Sequence, residues 1–536
     1  MGRATRFAIG LLLYAVALPV HAATITVTNT NDSGAGSLRQ ALSVAHNGDR
    51  ITFAVSGTIT LTSDGLLVTK NITISGPGAD QLSIASNTLE GVCIFHIVSG
   101  EAVTISGLTI TTGDSGICND EAILTVSNCV VTGNNSGLFN NASLSSSVIA
   151  SLTITNSVFS NNHSSIYNVS EPPNSLVRDS ATGIINQSEP PLGPTGTMAR
   201  SSTLIRKPAG DGSGAANCTA CMTIANSVVT GNAIGVFNVA YPAATVTVLN
   251  SRVTDNSDGI DTYGFEGDAE ITIRNSTISG NGHMGPGLGG IDSGFSSVSI
   301  FNSAISDNSG LGGINARGSR GLGLYVSIVN STISGNSAGT SGGGIYGEGL
   351  DDLSIVNSTI SGNSAGTSGG GIYNVNSSLH VANSTITGNS AGSGGGIYNE
   401  GSLGASVVEI SNTILNAGAS GENIFNNGGT VTSHGYNLSS DDGGGYLNGP
   451  GDQINTDPLL GPLQDNGGPT STHALLPGSP AIDAGDPNFI PPPSTDQRGC
   501  PFDRVFNGRI DIGSFETQPP PRHPCPRPRP TPVPRP

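Results

Sequence analysis

Along most of this chain apolar residues alternate with hydroxylic or amide residues in runs too short for helices. Examples are VSIVN (Val326–Asn330) and LSIVN (Leu353–Asn357), each followed by a shorter alternation such as Thr332-Ile333-Ser334. A period of two with β-branched residues predicts strands, and the repeats carry no sustained 3.6-residue period. The alternation is itself repeated. NSTISGN stands at Asn275–Asn281, Asn330–Asn336 and Asn357–Asn363, with NSTITGN at Asn383–Asn389 and looser copies from Asn128, Asn156, Asn226, Asn250 and Asn302. From Asn226 to Asn383 the starts are 24, 25, 27, 28, 27 and 26 residues apart. A fixed period of this size marks one structural unit stacked many times. After each Gly-Asn turn and a glycine-rich stretch comes a third apolar or aromatic element: GLFN (Gly137–Asn140), GVFN (Gly235–Asn238) and GIYN (Gly371–Asn374, Gly396–Asn399).

Three short strands per turn with no intervening helices predict an all-β fold, a single-stranded parallel β-helix, right-handed by the crossover rule. One coil cannot bury its Ile, Val and Phe residues alone, whereas coils stacked about 4.8 Å apart form a continuous apolar column. Equivalent asparagines, Asn275, Asn302, Asn330, Asn357 and Asn383, then fall above one another as a structural ladder of side-chain amides. Ser37-Leu38-Arg39-Gln40 fits a capping box, and a short helix with Leu38, Leu42 and Ala45 inward would close the first coil.

The predicted organisation is a signal peptide over 1–22, an N-terminal cap over 23–50, the β-helix over 51–430, a C-terminal module over 431–516 and a Pro/Arg-rich tail over 517–536. Arg3 and Arg6, the apolar run Phe7–Val20 and the small-residue site Val20-His21-Ala22 carry the first of these assignments and imply secretion or display at the cell surface. No later segment is apolar enough to cross a bilayer, so no transmembrane segment is expected in the mature chain. A flexible loop over 169–217, with SEPP twice, interrupts the repeat. The net charge of −18 with only two lysines, Lys70 and Lys207, argues against nucleic acid and anionic membranes. Of seven cysteines, Cys118 could pair with Cys129 and Cys218 with Cys221 in an exported chain, Cys218-x-x-Cys221 could instead be redox-active or bind metal, and the sequence leaves the pairing open. A monomer is expected.

DSGAGSLRQAL (Asp32–Leu42), GDRITF (Gly48–Phe53) and GTITL (Gly57–Leu61) resemble the N-terminal cap of secreted bacterial β-helix proteins of the pectin-lyase-like fold. The NSxISGN…GGGIYN units resemble the repeats of chlamydial polymorphic outer-membrane proteins, which are adhesins and autotransporters. DPLLGPLQDNGGPTSTHALLPGSPAIDAGD (Asp457–Asp486), TDQRG (Thr495–Gly499) and DIGSFE (Asp511–Glu516) resemble the choice-of-anchor module that closes many such proteins. These resemblances imply an exported surface protein with an adhesin-like binding role and a polysaccharide or cell-surface ligand.

The candidate catalytic residues are Asp255, Asp258 and Asp261. Asp255-Asn-Ser-Asp258-Gly-Ile-Asp261 resembles the NTDGID motif of β-helix polygalacturonases, in which aspartates serve as general acid and base. Inverting hydrolysis needs two carboxylates roughly 6.5–9.5 Å apart. The next coil offers no Asp-Asp pair, and neither a Gly-His-Gly nor an Arg-Ile-Lys element follows, so no complete constellation is present and the chain reads as a non-enzyme. A polysaccharide lyase or polygalacturonase-like hydrolase is the alternative, with Arg252 and Arg274 as candidate lyase bases. No cofactor is expected. The aspartates Asp483, Asp486, Asp496 and Asp511 are a candidate Ca²⁺ cluster, set against a plain role as turn caps. Thr332, Ser334, Thr359, Ser361, Thr385 and Thr387 should point outward as a hydroxyl grid, the arrangement by which ice-binding β-helices work, or simply as residues suited to exposed strands.

Overall fold

The computed structural model describes residues 22–87, 91–143, 150–171, 220–240, 244–264, 269–283, 287–402 and 404–519. The chain winds as a parallel β-solenoid with three long sheets of 15, 14 and 13 strands, each strand pairing in parallel with its equivalent one coil away. The first sheet holds the long alternating strands, such as Tyr325–Val329. The second holds the three-residue strands after Asn-Ser, such as Thr332–Ser334. The third holds the glycine-led strands, such as Ile372–Val375. Inward residues form one continuous core, with Ile328, Ile355, Ile333, Ile360, Ile345 and Ile372 fully buried. Stacking in register places like on like, so one apolar position suffices in the three-residue strands and two in the longer alternating ones.

The bends are set by asparagine and serine. The first Asn of each unit takes the left-handed conformation, with φ of 49° at Asn275, Asn302 and Asn383, 50° at Asn330 and 53° at Asn357. Asn accepts this geometry more readily than other residues with a Cβ. Some of their amides meet: Asn302 Nδ2 donates to Asn275 Oδ1 at 3.3 Å and Asn357 Nδ2, buried beneath Thr495, to Asn330 Oδ1 at 2.7 Å. A second ladder lies inside. The last Asn of the motif runs from Asn134 to Asn389, each Oδ1 accepting from the backbone N–H and Nδ2 of the previous rung, as at Asn308 and Asn336 (3.0 and 2.9 Å). These amides are buried and every rung is satisfied by the next, so the polar column carries no desolvation deficit.

At the N-terminal end the helix Leu38–Val44 starts at Ser37, whose Oγ accepts from Gln40 N, while Gln40 Oε1 returns to Gly36 N. Leu38, Ala41, Leu42 and Ala45 are buried against the first coil. The stack continues unbroken past the predicted loop: Asn162 bonds directly to Asn232, 70 residues on. Residues 172–217 of that loop, residues 1–21 of the signal segment and residues 520–536 of the tail lie outside the described residues. Solenoid strands run past residue 430, to Thr430–Gly435 and Leu438–Ser439. Among the described residues no helix is long and apolar enough to cross a membrane.

The C-terminal segment folds back along the second sheet. Thr332 Oγ1 donates to the carbonyl of Ser471, Thr359 Oγ1 to Gln497 Oε1, and Ser514 N donates to Thr385 Oγ1. Gln497 Nε2 reaches Ser331 O, Thr332 Oγ1 and Thr470 Oγ1. Thr332, Thr359 and Thr385 are therefore buried, and the outward hydroxyl grid is in these coils a docking surface for the protein's own module.

Cys118 takes Cys93, not Cys129, as its partner. Cys93 bonds to Cys118 across adjacent coils of the third sheet, and Cys129 is free and buried, its thiol pushed up to about 11 by burial. Eleven residues after Cys118 the chain has already turned into the next wall of the solenoid, whereas Cys93 stands one rung below. Cys221 is also disulfide-bonded, but Cys218 lies outside the described residues.

Candidate functional site

From Ser136 onward most third-sheet strands open with Gly and a core aliphatic residue, with Ser165 and Asn423 replacing the Gly in two of them, and the residue after the aliphatic one faces outward. The glycine is required by close stacking: a Cβ on Gly259 would stand 2.3 Å from the carbonyl oxygen of Gly290. The outward residues form one row through the stack, paired rung to rung: Phe139, Tyr167, Phe237, Asp261, Asp292, Asn315, Tyr346, Tyr373, Tyr398 and Phe425. Seven of the ten are aromatic. Tyr346, Tyr373, Tyr398 and Phe425 stack nearly face to face with centroids 5.0–5.2 Å apart. Phe139, Tyr167 and Phe237 make a second, tilted stack. Between the two stacks three rungs are polar: Asp261, Asp292 and Asn315.

This break is organised. Asp292, 1 % exposed, accepts from Asn315 Nδ2 (2.7 Å), from Arg317 Nη2 at both oxygens (2.9 and 3.0 Å) and from the Tyr263 hydroxyl (3.0 Å). Arg317 keeps 41 % of its side chain exposed. Tyr263 sits two residues beyond Asp261, on the same face, and its ring lies where a side chain on Gly294 would be; a Cβ there would come within 2.7 Å of the ring. Asp261 is 5 % exposed, and among the described residues its Oδ1 has no hydrogen-bond partner. Burial first, then the charges of Asp292 and Asp258, push its carboxyl up to about 8, against the opposing pull of Arg317 and Tyr263. Asp258 is also raised, by burial and Asp292, although its Oδ1 accepts from Leu288 N at 2.7 Å. Arg317 is raised: burial alone would lower it, but the Asp292 carboxylate outweighs that. Burial and the neighbouring charges thus favour the protonated form of Asp261, beside an Asp292–Arg317 ion pair whose guanidinium stays half-exposed.

Of the three sequence candidates, Asp258 and Asp261 enter this cluster and Asp255 does not. Asp255 is exposed in the left-handed turn before their strand (φ 58°), where other units place glycine. Asp292, Arg317 and Tyr263 escape a motif search, yet the spacing carries them: Gly290-Ile291-Asp292 and Gly313-Ile314-Asn315 repeat the Gly259-Ile260-Asp261 phrase. Arg252 and Arg274 stand on the second and first sheets instead, with Arg274 packed over the Phe301 ring at 4.1 Å.

The predicted calcium cluster is divided. Asp496 pairs with Arg498 (2.6 Å), and Asp486 accepts from Asn488 N. Asp483 and Asp511 converge instead with Glu516, their carboxylate oxygens all within 4.8 Å. Burial and Asp511 push Glu516 up to about 8, and the fully buried Arg504 supplies the compensating positive charge. The arrangement joins turns of the C-terminal module: Asp483 N donates to Asp511 and Asp511 N to Glu516.

No family model and no curated protein matches the chain. Among solved structures it is similar to the A-module of the Azotobacter vinelandii mannuronan C-5 epimerase AlgE6, at 12 % identity over 77 % of this chain and 97 % of that one, with a TM-score of 0.42. It is also similar to pectate lyase Pel9A (14 %, 92 % and 96 %, 0.33) and to the catalytic domain of a GH87 α-1,3-glucanase (14 %, 78 % and 70 %, 0.41). Identities and scores this low say nothing of chemistry.

Proposed function

We propose that the protein is an exported polysaccharide-binding solenoid, adhesin-like in role, which takes a glycan on the outer face of the third sheet where the aromatic row is interrupted. The observation that carries this reading is the polar break between two ring stacks. Within a stack each ring covers its neighbour's face, leaving edges outward. At the break Phe237 meets the Tyr263 ring, whereas beyond Tyr346 stands Asn315, which carries no ring. An aromatic face next to a half-exposed guanidinium, with Glu348 accepting from the Tyr346 hydroxyl, is a combination that packs against a sugar ring and bonds its hydroxyls. Asp292 is too buried to meet a ligand; it holds Arg317 and Tyr263 in place.

Binding of the mature chain to a panel of neutral and acidic polysaccharides tests this. Arg317→Ala should weaken the retained ligand by about tenfold, equivalent to about 1.4 kcal/mol. Retention unchanged in that variant, or none across the panel, overturns the reading.

A second reading rests on Asp261. A buried carboxyl protonated at neutral pH, with one oxygen unpartnered, has the character of a general acid, and a glycoside hydrolase would use it to protonate a leaving oxygen. Release of new reducing ends by the wild type, abolished in Asp261→Asn, would establish turnover in place of simple binding.

A further inference from the structure

Among the described residues, the strands that carry and flank the polar break are Asp258–Gly264, Gly289–Gly294, Ile314–Arg317 and Ile345–Glu348. They hold the carboxyl groups of Asp258, Asp261, Asp292 and Glu348 against a single cation, Arg317. That cation is already answered. Arg317 Nη2 donates to both oxygens of Asp292, which also accept from Asn315 Nδ2 and the Tyr263 hydroxyl. Two basic residues near these strands in sequence are held elsewhere. His283, in the turn before Gly289, has its ring nitrogens at the Asp307 carbonyl (2.9 Å) and Ser309 Oγ (3.3 Å). Arg320, in the loop after Arg317, donates to Ser378 Oγ and the Ala405 carbonyl.

The carboxyl groups differ in what they present. Asp292 has both oxygens bonded. Asp258 is half-buried at the head of its strand, and its Oδ1 accepts from Leu288 N at 2.7 Å. Asp261 follows on the same strand with Oδ1 unpartnered. Glu348 stands on the rung next to Arg317 and accepts from the Tyr346 hydroxyl. A molecule lying against the Tyr346 face therefore meets a surface rich in acceptors, whose one guanidinium is engaged. Carboxylates only accept, whereas a hydroxyl both donates and accepts. The hydroxyls of a neutral sugar complement such a surface. A uronate instead brings another acceptor-only group with a negative charge. A hydrogen bond to it from an Asp261 O–H would still set a third negative charge beside Asp258 and Asp292, with one guanidinium for all three. Like charges placed together at an interface turn away the wrong partner.

We propose that the polar break selects an uncharged glycan, a polymer of neutral hexoses, and rejects polymers of uronate. The selection rests on the reading of this face as a glycan site and adds the class of sugar to it. Packing against the Tyr346 ring is available to either kind of sugar, so the carboxyl groups carry the discrimination. The test is affinity electrophoresis of the mature chain in gels holding matched soluble polymers: a glucan, a mannan and a galactan, and the same backbones oxidised at C6 to uronate. At least one neutral backbone should be retained about tenfold more tightly than its uronate form. Asp258→Asn keeps an acceptor for Leu288 N and should raise uronate retention severalfold, narrowing that ratio. Glu409→Gln removes the same unit of charge from the first sheet and should leave the ratio as it is. Three results overturn the selection while glycan binding stands: a uronate held as tightly as its neutral backbone, a ratio unmoved by Asp258→Asn, or a ratio narrowed equally by Glu409→Gln. Retention of no polymer removes the glycan reading itself, and the selection falls with it.

Discussion

The outward row of the third sheet is occupied in two ways on one backbone. From Tyr346 to Phe425 it is a stack of rings, each covering the next. From Asp261 to Asn315 the same position holds carboxyl and amide groups that satisfy one another only in part. The backbone pairing does not change between them. The difference lies in what each stretch gains from stacking. Rings gain from repetition, because every copy adds a contact. Carboxylates lose by it, because like charges are brought to adjacent rungs: burial and the Asp292 charge raise Asp261, and the Arg317 guanidinium bonds Asp292. Repetition without such loss is the mark of scaffold, and a break that costs stability is where function is sought.

The contrast can be broken most severely at Asp292. Asp292→Ala leaves Arg317 and the Tyr263 hydroxyl without their acceptor. Removing one partner of a buried pair costs about 3–5 kcal/mol; Arg317 keeps part of its hydration, so about 2–3 kcal/mol is expected in denaturant unfolding. In the aromatic half, Tyr373→Ala removes a ring held between two others and should cost about 2 kcal/mol, with no change in ligand retention.

A titration sharpens the comparison further. The Asp261 carboxyl is raised from 3.8 to about 8 in the folded chain, so the native state holds a proton that the unfolded chain releases near pH 4. Its contribution is complete below about pH 4 and is lost as pH rises through about 8. Asp261→Asn removes this slope: the variant should match the wild type near pH 4 and become the more stable of the two as the pH rises to 9. Glu516 gives a slope of the same sign, so the wild-type decline should be reduced by the substitution without vanishing. The smallest effect on stability is expected for Asn315→Tyr, which extends the ring stack into the break. The new stacking contact offsets the lost hydrogen bond to Asp292 to within about 1 kcal/mol, while glycan retention should disappear because the Tyr346 face is covered.

Most of the architecture was legible because it is periodic. Val326–Asn330, Thr332–Ser334 and the GIYN phrases each state their own strand, and the capping helix announces itself at Ser37 and Gln40. The candidate site was legible only by half. Asp258 and Asp261 stand in a recognisable phrase, but Asp292 and Arg317 belong to the next two coils, and nothing local distinguishes Arg317 from Arg252 or Arg274. Aligning the coils on the Gly-Ile dipeptide brings Asp292 beneath Asp261, since a conserved stacking geometry within one chain fixes which residues meet. The inner ladder from Asn134 to Asn389 was less visible than the outer one, although the same motif contains both, because the direction of the second Asn depends on how the turn closes.

What the amino-acid order alone determined here is everything that repeats: the strands, the period, the left-handed asparagine turns and the apolar column, all consequences of short-range stereochemistry and burial. Tertiary structure decided what happens once in the chain. It paired Cys93 with Cys118, brought Arg317 to Asp292, turned His434 toward Glu409 and laid Gln497 over Thr332 and Thr359. These contacts join residues between 25 and 165 positions apart. Their formation depends on turn lengths accumulated over whole coils and on the satisfaction of buried polar groups, neither of which a local pattern contains.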